Sequence, residues 1–149
     1  AAGAVTSAKK GAGSILQVQY GVRSGHLQTS STSYVDTGIT ANITPSSTSS
    51  KVLILINILF GLDHSSTVDI IGQTKMLRDS THINTEQTAD FMRMQAGSTY
   101  AIAGQHLLHL DSPSSTSAIT YKLQIKRGSG SGQLSVWGGS GIVLQEVAG

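Results

Sequence analysis

The sequence predicts an all-β protein, an antiparallel β-sandwich of about eight to ten short strands. Three observations carry that expectation. Lys51-Val52-Leu53-Ile54-Leu55-Ile56-Asn57-Ile58-Leu59-Phe60 is an apolar block rich in β-branched residues and without helix caps, the pattern of a central strand buried on both faces. Elsewhere short apolar segments alternate with Ser/Thr loops. Glycines separate them at Gly21, Gly25, Gly61, Gly97, Gly128, Gly130, Gly132 and Gly138-Gly139, where turns between strands take positive φ at little steric cost.

Residues 1–14 are small, rich in Gly and Ala and without periodicity, which suits a flexible N-terminal arm or linker ahead of a sandwich domain at 15–149. Strands are expected over Ile15–Tyr20, Ser33–Ile43, Lys51–Phe60, Val68–Leu77, Tyr100–Leu110, Ala118–Lys126, Gln133–Trp137 and Ile142–Val147. Ile43-Thr44-Pro45-Ser46-Ser47-Thr48-Ser49-Ser50 reads as a proline turn and polar hairpin loop that sets where the central strand begins. Gly128-Ser129-Gly130-Ser131-Gly132 reads as a second hairpin loop. Residues 84–95 fit two templates, because Asn84 is a helix cap while Met92 and Met94 alternate as in a strand. Asn57 is the one polar residue inside the central block, so it either meets a buried partner or faces a subunit seam.

A chain of 149 residues is one domain, able to bury roughly two-thirds of the surface its unfolded form exposes. Cysteine is absent, so stability rests on packing within and between subunits rather than on disulfides. The formal net charge is +2, with both signs interspersed, and the field that gathers nucleic acid is missing. The longest apolar run is about half a membrane span and no signal peptide is visible, so the chain reads as soluble, without membrane insertion.

Candidate chemistry is thin. His106 and His109 are the tightest histidine pair, but an offset of three on a strand sends them to opposite faces, which is wrong for shared chelation. A histidine facing a threefold axis meets its own symmetry mates instead. His64 beside Asp63, with Asp69 nearby, falls where Gly61 and Ser65-Ser66 mark a loop of solvated charges. Serines are abundant, yet none sits in a Gly-x-Ser-x-Gly elbow. Asp36, Asp79 and Asp111 lie beside turns and read as caps of backbone donors rather than glycosidase carboxylates. Asn42-Ile43-Thr44 matches a glycosylation acceptor of the kind that arises by chance. The expectation is therefore no catalytic residue, no metal and no cofactor.

Aromatic residues supply the ligand-binding candidates, Trp137, Tyr34 and Tyr100. Trp137 stands at a strand end beside Gly138-Gly139, where its ring is placed either to stack on a sugar or partner or to fill a core or subunit interface. The tyrosines are amphipathic strand residues whose hydroxyls reach the rim.

Several ordered blocks carry a resemblance. Ser14-Ile15-Leu16-Gln17-Val18-Gln19-Tyr20, Tyr34-Val35-Asp36-Thr37-Gly38-Ile39, the Ile43 to Ile54 stretch, Met76-Leu77-Arg78-Asp79-Ser80-Thr81, His109-Leu110-Asp111-Ser112-Pro113 through Lys122, and Ile142-Val143-Leu144-Gln145-Glu146-Val147 together resemble the carboxy-terminal domain of virion structural proteins of tailed bacteriophages, especially cyanophages and other marine phages. The likeness covers nearly all of residues 14–147. It implies a jelly-roll-like sandwich, a homotrimer and no catalytic residue. At the place of Trp137 that family often carries a polar residue, which marks this position as particular to the chain.

The resemblance implies a non-enzymatic virion protein and leaves its place open. A trimeric tail-fibre-type head or adhesin binding a host surface glycan is the first expectation. A capsid decoration or head-spike protein clamped to other virion proteins by its N-terminal arm is the alternative, since only about a dozen residues precede the sandwich. A glycan-cleaving spike is the third and weakest reading.

Overall fold

The computed structural model describes residues 11–63, 69–84, 92–94 and 100–149, with the backbone alone at Met92 and Met94. Its strands are β1 (Ile15–Val22), β2 (Leu27–Thr29), β3 (Val35–Ile43), β4 (Lys51–Asp63), β5 (Ile70–Arg78), β6 (Thr81–His82), β7 (Met92–Met94), β8 (Tyr100–Asp111), β9 (Ile119–Ser129), β10 (Gln133–Val136) and β11 (Gly141–Val147). They form two antiparallel sheets of six and five strands packed as a sandwich. The long strands match the expected ones within a few residues, and the additions β2, β6 and β7 are only two or three residues long.

β4 organises the six-stranded sheet. β8 pairs with it along its whole length, from Val52↔Asp111 to Asp63↔Tyr100. Its other edge is shared end to end by β11, against Lys51 to Asn57, and β10, against Phe60 to Asp63. β1 and β2 then extend β11 and β10. The second sheet runs β3-β9-β5-β6, with β7 also on β5. Alternation builds the core: Val52, Ile54, Ile56, Ile58, Phe60 and Leu62 of β4 turn inward, at most 2% exposed, against Ile39, Ile43, Ile70, Met76, Tyr121, Leu123 and Ile125 of the other sheet. Gly72 of β5 makes room for the Phe60 ring, since a Cβ there would stand 2.8 Å from it.

Several expectations change. The central strand is buried mainly on its inner face; outward-facing Leu55 and Leu59 are 38% and 40% exposed, because the second sheet covers one side of β4 and the other is covered only near Gly61, by Trp137. The Pro45 loop joins β3 to β4, and the Gly130–Gly132 loop joins β9 to β10. Each crosses between the sheets instead of closing a hairpin. The Asn84 side chain is engaged within the sheet: its Oδ1 accepts the Met76 amide at 2.8 Å and lies 2.9 Å from His82 Nε2. Met92–Met94 is extended and antiparallel to Ile70–Gly72; residues 85–91 and 95 of that segment, like residues 1–10 of the arm and His64, lie outside the described residues. At the arm's end the Gly13 amide donates to Ala148 O at 2.8 Å and the Ala148 amide to Ser14 O at 2.9 Å, so these residues prolong the β1–β11 pairing.

Ile56 is 2% exposed at the middle of this core. Ile56→Asp is expected to abolish folding, since an unpaired buried charge costs several kcal/mol, comparable with a domain's whole stability. Circular dichroism and proton NMR check it; a cooperatively melting variant would contradict the placement of β4.

Candidate interaction surface

The two sheets turn chemically different faces outward. Gln73 and Lys75 of β5, Lys122, Gln124 and Lys126 of β9 and Asp36 of β3 make the five-stranded sheet's outer face polar. Lys122 Nζ and Gln124 Nε2 reach the Asp36 carboxylate at 3.1 and 2.7 Å. Partial burial pushes that carboxyl up, but the hydrogen bonds from Gln124 and Lys122 and the lysine charge outweigh it and leave it below the usual range.

The six-stranded sheet is the opposite. Among the described residues, all the large hydrophobic side chains classed as exposed (Ile15, Val18, Tyr20, Val22, Leu55, Leu59, Tyr100, Ile102, Leu108 and Leu110) stand on its strands β1, β4 and β8. Register shows how they line up, with Tyr20 beside Val143, Val143 beside Leu55 and Leu55 beside Leu108. A groove of about 400 Å³ crosses these strands, lined by Tyr20, Val22, Leu55, Asn57, His106, Leu108 and Val143, with Gly139 and Gly141 at positions that carry no side chain. Gly141 admits none, since a Cβ would lie 2.8 Å from Gly21 O. Asn57 and His106 are cross-strand neighbours on this outer face, so Asn57 has no buried partner.

Trp137 and Tyr100 fall on this side and Tyr34 on the other. Trp137 follows β10, half-buried, and an added Cβ at Gly61 would be 3.3 Å from its indole nitrogen. His26 stacks on it with ring centroids 4.1 Å apart and planes 17° from parallel. Tyr100 begins β8 opposite Asp63, 47% exposed. Tyr34 lies under the amines of Lys75 and Lys126, 5.4 and 4.8 Å from its ring centre. The three do not converge. His106 faces outward and His109, opposite Ile54, faces the other way, as period-two alternation requires. The apolar outer face as a whole was missed by the sequence reading. Its signal is the alternation Tyr100, Ile102, Leu108, Leu110 in a strand whose other positions also include Ala101, Ala103 and Leu107.

Two buried carboxylates flank Val52, Asp111 on β8 and Glu146 on β11. Asp111 is not a turn cap: it takes both oxygens to Arg78 Nη1 at 3.0 Å and accepts from Tyr121 Oη at 2.7 Å. Burial, then the hydrogen bond to Asp111 and its negative charge, push the Tyr121 hydroxyl far above its usual range. Arg78 therefore pairs across the sandwich and not with adjacent Asp79, whose Oδ1 accepts the Thr120 amide at 2.9 Å, as a turn aspartate should. Asp36, bonded to side chains, is no backbone cap either. Glu146 accepts from Ser46 N, Ser46 Oγ, Ser50 Oγ and Gln17 Nε2 at 2.6–2.7 Å. Burial raises its carboxyl, yet the hydrogen bonds from Ser46, Gln17, Ser50 and the Ser46 amide win and bring it from 4.5 to about 2. Among the described residues no three His, Asp or Glu gather as for a metal ion.

The fold and surface thus define an antiparallel sandwich with one polar and one apolar outer face. Solved structures share the fold: the VP2 subviral particle of infectious bursal disease virus at 17% identity and a TM-score of 0.51, and the Gt and Gx strains of that virus at 16% and 18% identity, each with a TM-score of 0.53. Each match covers 89% of this chain and 32–33% of the other, so the chain spans about a third of the length of these neighbours. No family model matches the sequence. No curated protein matches it either.

The contacts of Glu146 with Ser46, Ser50 and Gln17 have a defined pH dependence. A carboxyl lowered by folding stabilises fully above its unfolded value near 4.5 and loses that contribution as pH falls toward 2. Thermal unfolding is expected to drop between pH 5 and pH 2 by an amount that Glu146→Gln, already destabilised by about 2 kcal/mol at pH 7, no longer shows. An equal acid dependence in both proteins would contradict the assignment.

Proposed function

We propose that this chain is a non-enzymatic structural subunit of a bacteriophage virion, a homotrimeric tail-fibre-type head or adhesin that binds the host surface. The observation that carries the reading is an antiparallel sandwich like that of the VP2 subviral particle, with an apolar outer face suited to assembly. The ordered blocks resembling phage structural proteins support a phage rather than another virus, and support the threefold state. Trp137 with its stacked His26 is the candidate contact for a host glycan, because exposed His26 lying flat on the half-buried indole offers an aromatic surface on which a sugar ring can stack. Tyr100 shares its side of the molecule; Tyr34 has no place in this contact.

The alternative is a capsid decoration or head-spike protein. The likeness to a protein of a subviral particle favours it, and residues 1–14 are the arm that would clamp neighbouring virion proteins, with Gly13 and Ser14 bonded to Ala148 beside β1 and β11.

Light scattering is expected to give a mass of three chains, and a monomer mass refutes the trimer. Cryo-electron microscopy of the phage separates fibre tip from shell, and finding the chain nowhere on the particle refutes both readings. For the adhesin, Trp137→Ala is expected to weaken binding to host cells about tenfold or more without changing the assembled mass. Unaltered binding would remove Trp137 from the contact.

A further inference from the structure

We infer that copies of this chain meet on the outer face of β1, β11, β4 and β8, which line the seams around the threefold axis and leave the Trp137–His26 pair, at the β10–β2 side of the sheet, outside the contact. The inference rests on the homotrimeric reading and locates its interface. Four strands at a spacing of about 4.8 Å, and of these lengths, present about 600 Å² in projection. That is at the upper end of the apolar patches found on monomers, and of the order that one partner contributes to a standard interface, about 800 Å². Between Lys51 at one end of β4 and Asp63 at the other, the outward positions of these strands carry no charged side chain.

The chemistry of the face selects a second copy over other occupants. Its central polar groups, Asn57 and His106, make no side-chain hydrogen bond among the described residues, and each offers both a donor and an acceptor. Identical groups from a neighbouring copy satisfy them without any complementary charge. The relief is self-matching too: Tyr20 and Leu108 project, 75% and 71% exposed, beside a groove of about 400 Å³ where Gly139 and Gly141 present no side chain.

Leu108→Lys and Tyr20→Glu place charge on these exposed positions and are expected to fold with wild-type circular dichroism while associating at least about 30-fold more weakly in sedimentation experiments. Lys122→Glu on the opposite sheet should leave association unchanged. A wild-type monomer would refute both this face and the trimer itself; a trimeric wild type whose two variants stay trimeric would refute the face alone. Should the charged variants not fold, His106→Cys decides. The chain has no cysteine of its own, so a short bifunctional maleimide must join copies through position 106 and not through Lys122→Cys. Failure to join them at position 106 overturns the inference.

Discussion

β4 is the constraint on which everything else depends, because it must satisfy both backbone edges and bury six side chains while no single neighbour spans its second edge. β11 serves residues 51 to 57 and β10 residues 60 to 63, leaving a joint near Leu59. An unpaired amide or carbonyl inside a sheet costs about 1–3 kcal/mol, and the connection between β10 and β11 closes the joint: the Leu59 amide donates to Ser140 Oγ at 2.9 Å, and the Trp137 amide donates to Leu59 O at 3.1 Å. Gly139, at φ 86°, permits the turn. Trp137 is thereby held over Gly61 for reasons of backbone pairing. The stacked Trp137–His26 pair is a by-product of how two short strands share one long one.

The end of the sandwich near Val52 is closed by polar chemistry instead of packing. Asp111 and Glu146 sit on either side of it, and each would be expensive to bury alone. Asp111 draws in Arg78 and Tyr121 from the opposite sheet; Glu146 draws in the crossover between β3 and β4 through Ser46 and Ser50. The serine-rich segment after Pro45 is thus ordered by one carboxylate that uses its hydroxyls as donors. Both carboxylates tie structure together, and the environment of Glu146 stabilises its charged form, the reverse of a poised acid or base.

Much of the strand pattern was legible because alternation and turn residues act locally. β3, β4, β9 and β11 follow from their apolar positions. The crossovers were not legible: a Pro-Ser loop or a Gly-Ser loop looks the same whether the next strand lies beside the last or in the facing sheet. Nor was the partner of Arg78, since adjacent Asp79 is nearer in sequence and only the sandwich brings Asp111 within reach. Trp137 stood out for its neighbours Gly138-Gly139, but its contact with His26 joins residues 111 positions apart, and Tyr34 separates from it because it leads into β3 while Trp137 follows β10, strands of opposite sheets.

The sequence by itself determined an all-β chain, its central strand and the inward-facing residues, because period-two alternation reports a backbone geometry every segment carries with it. It also declared that β4 is apolar on both sides. Only the tertiary structure decided what that means. The second sheet covers one face, and the other, continued by Tyr20, Val143 and Leu108 from strands distant in sequence, stays open. Which face is covered depends on the packing of whole sheets, a property of no single segment.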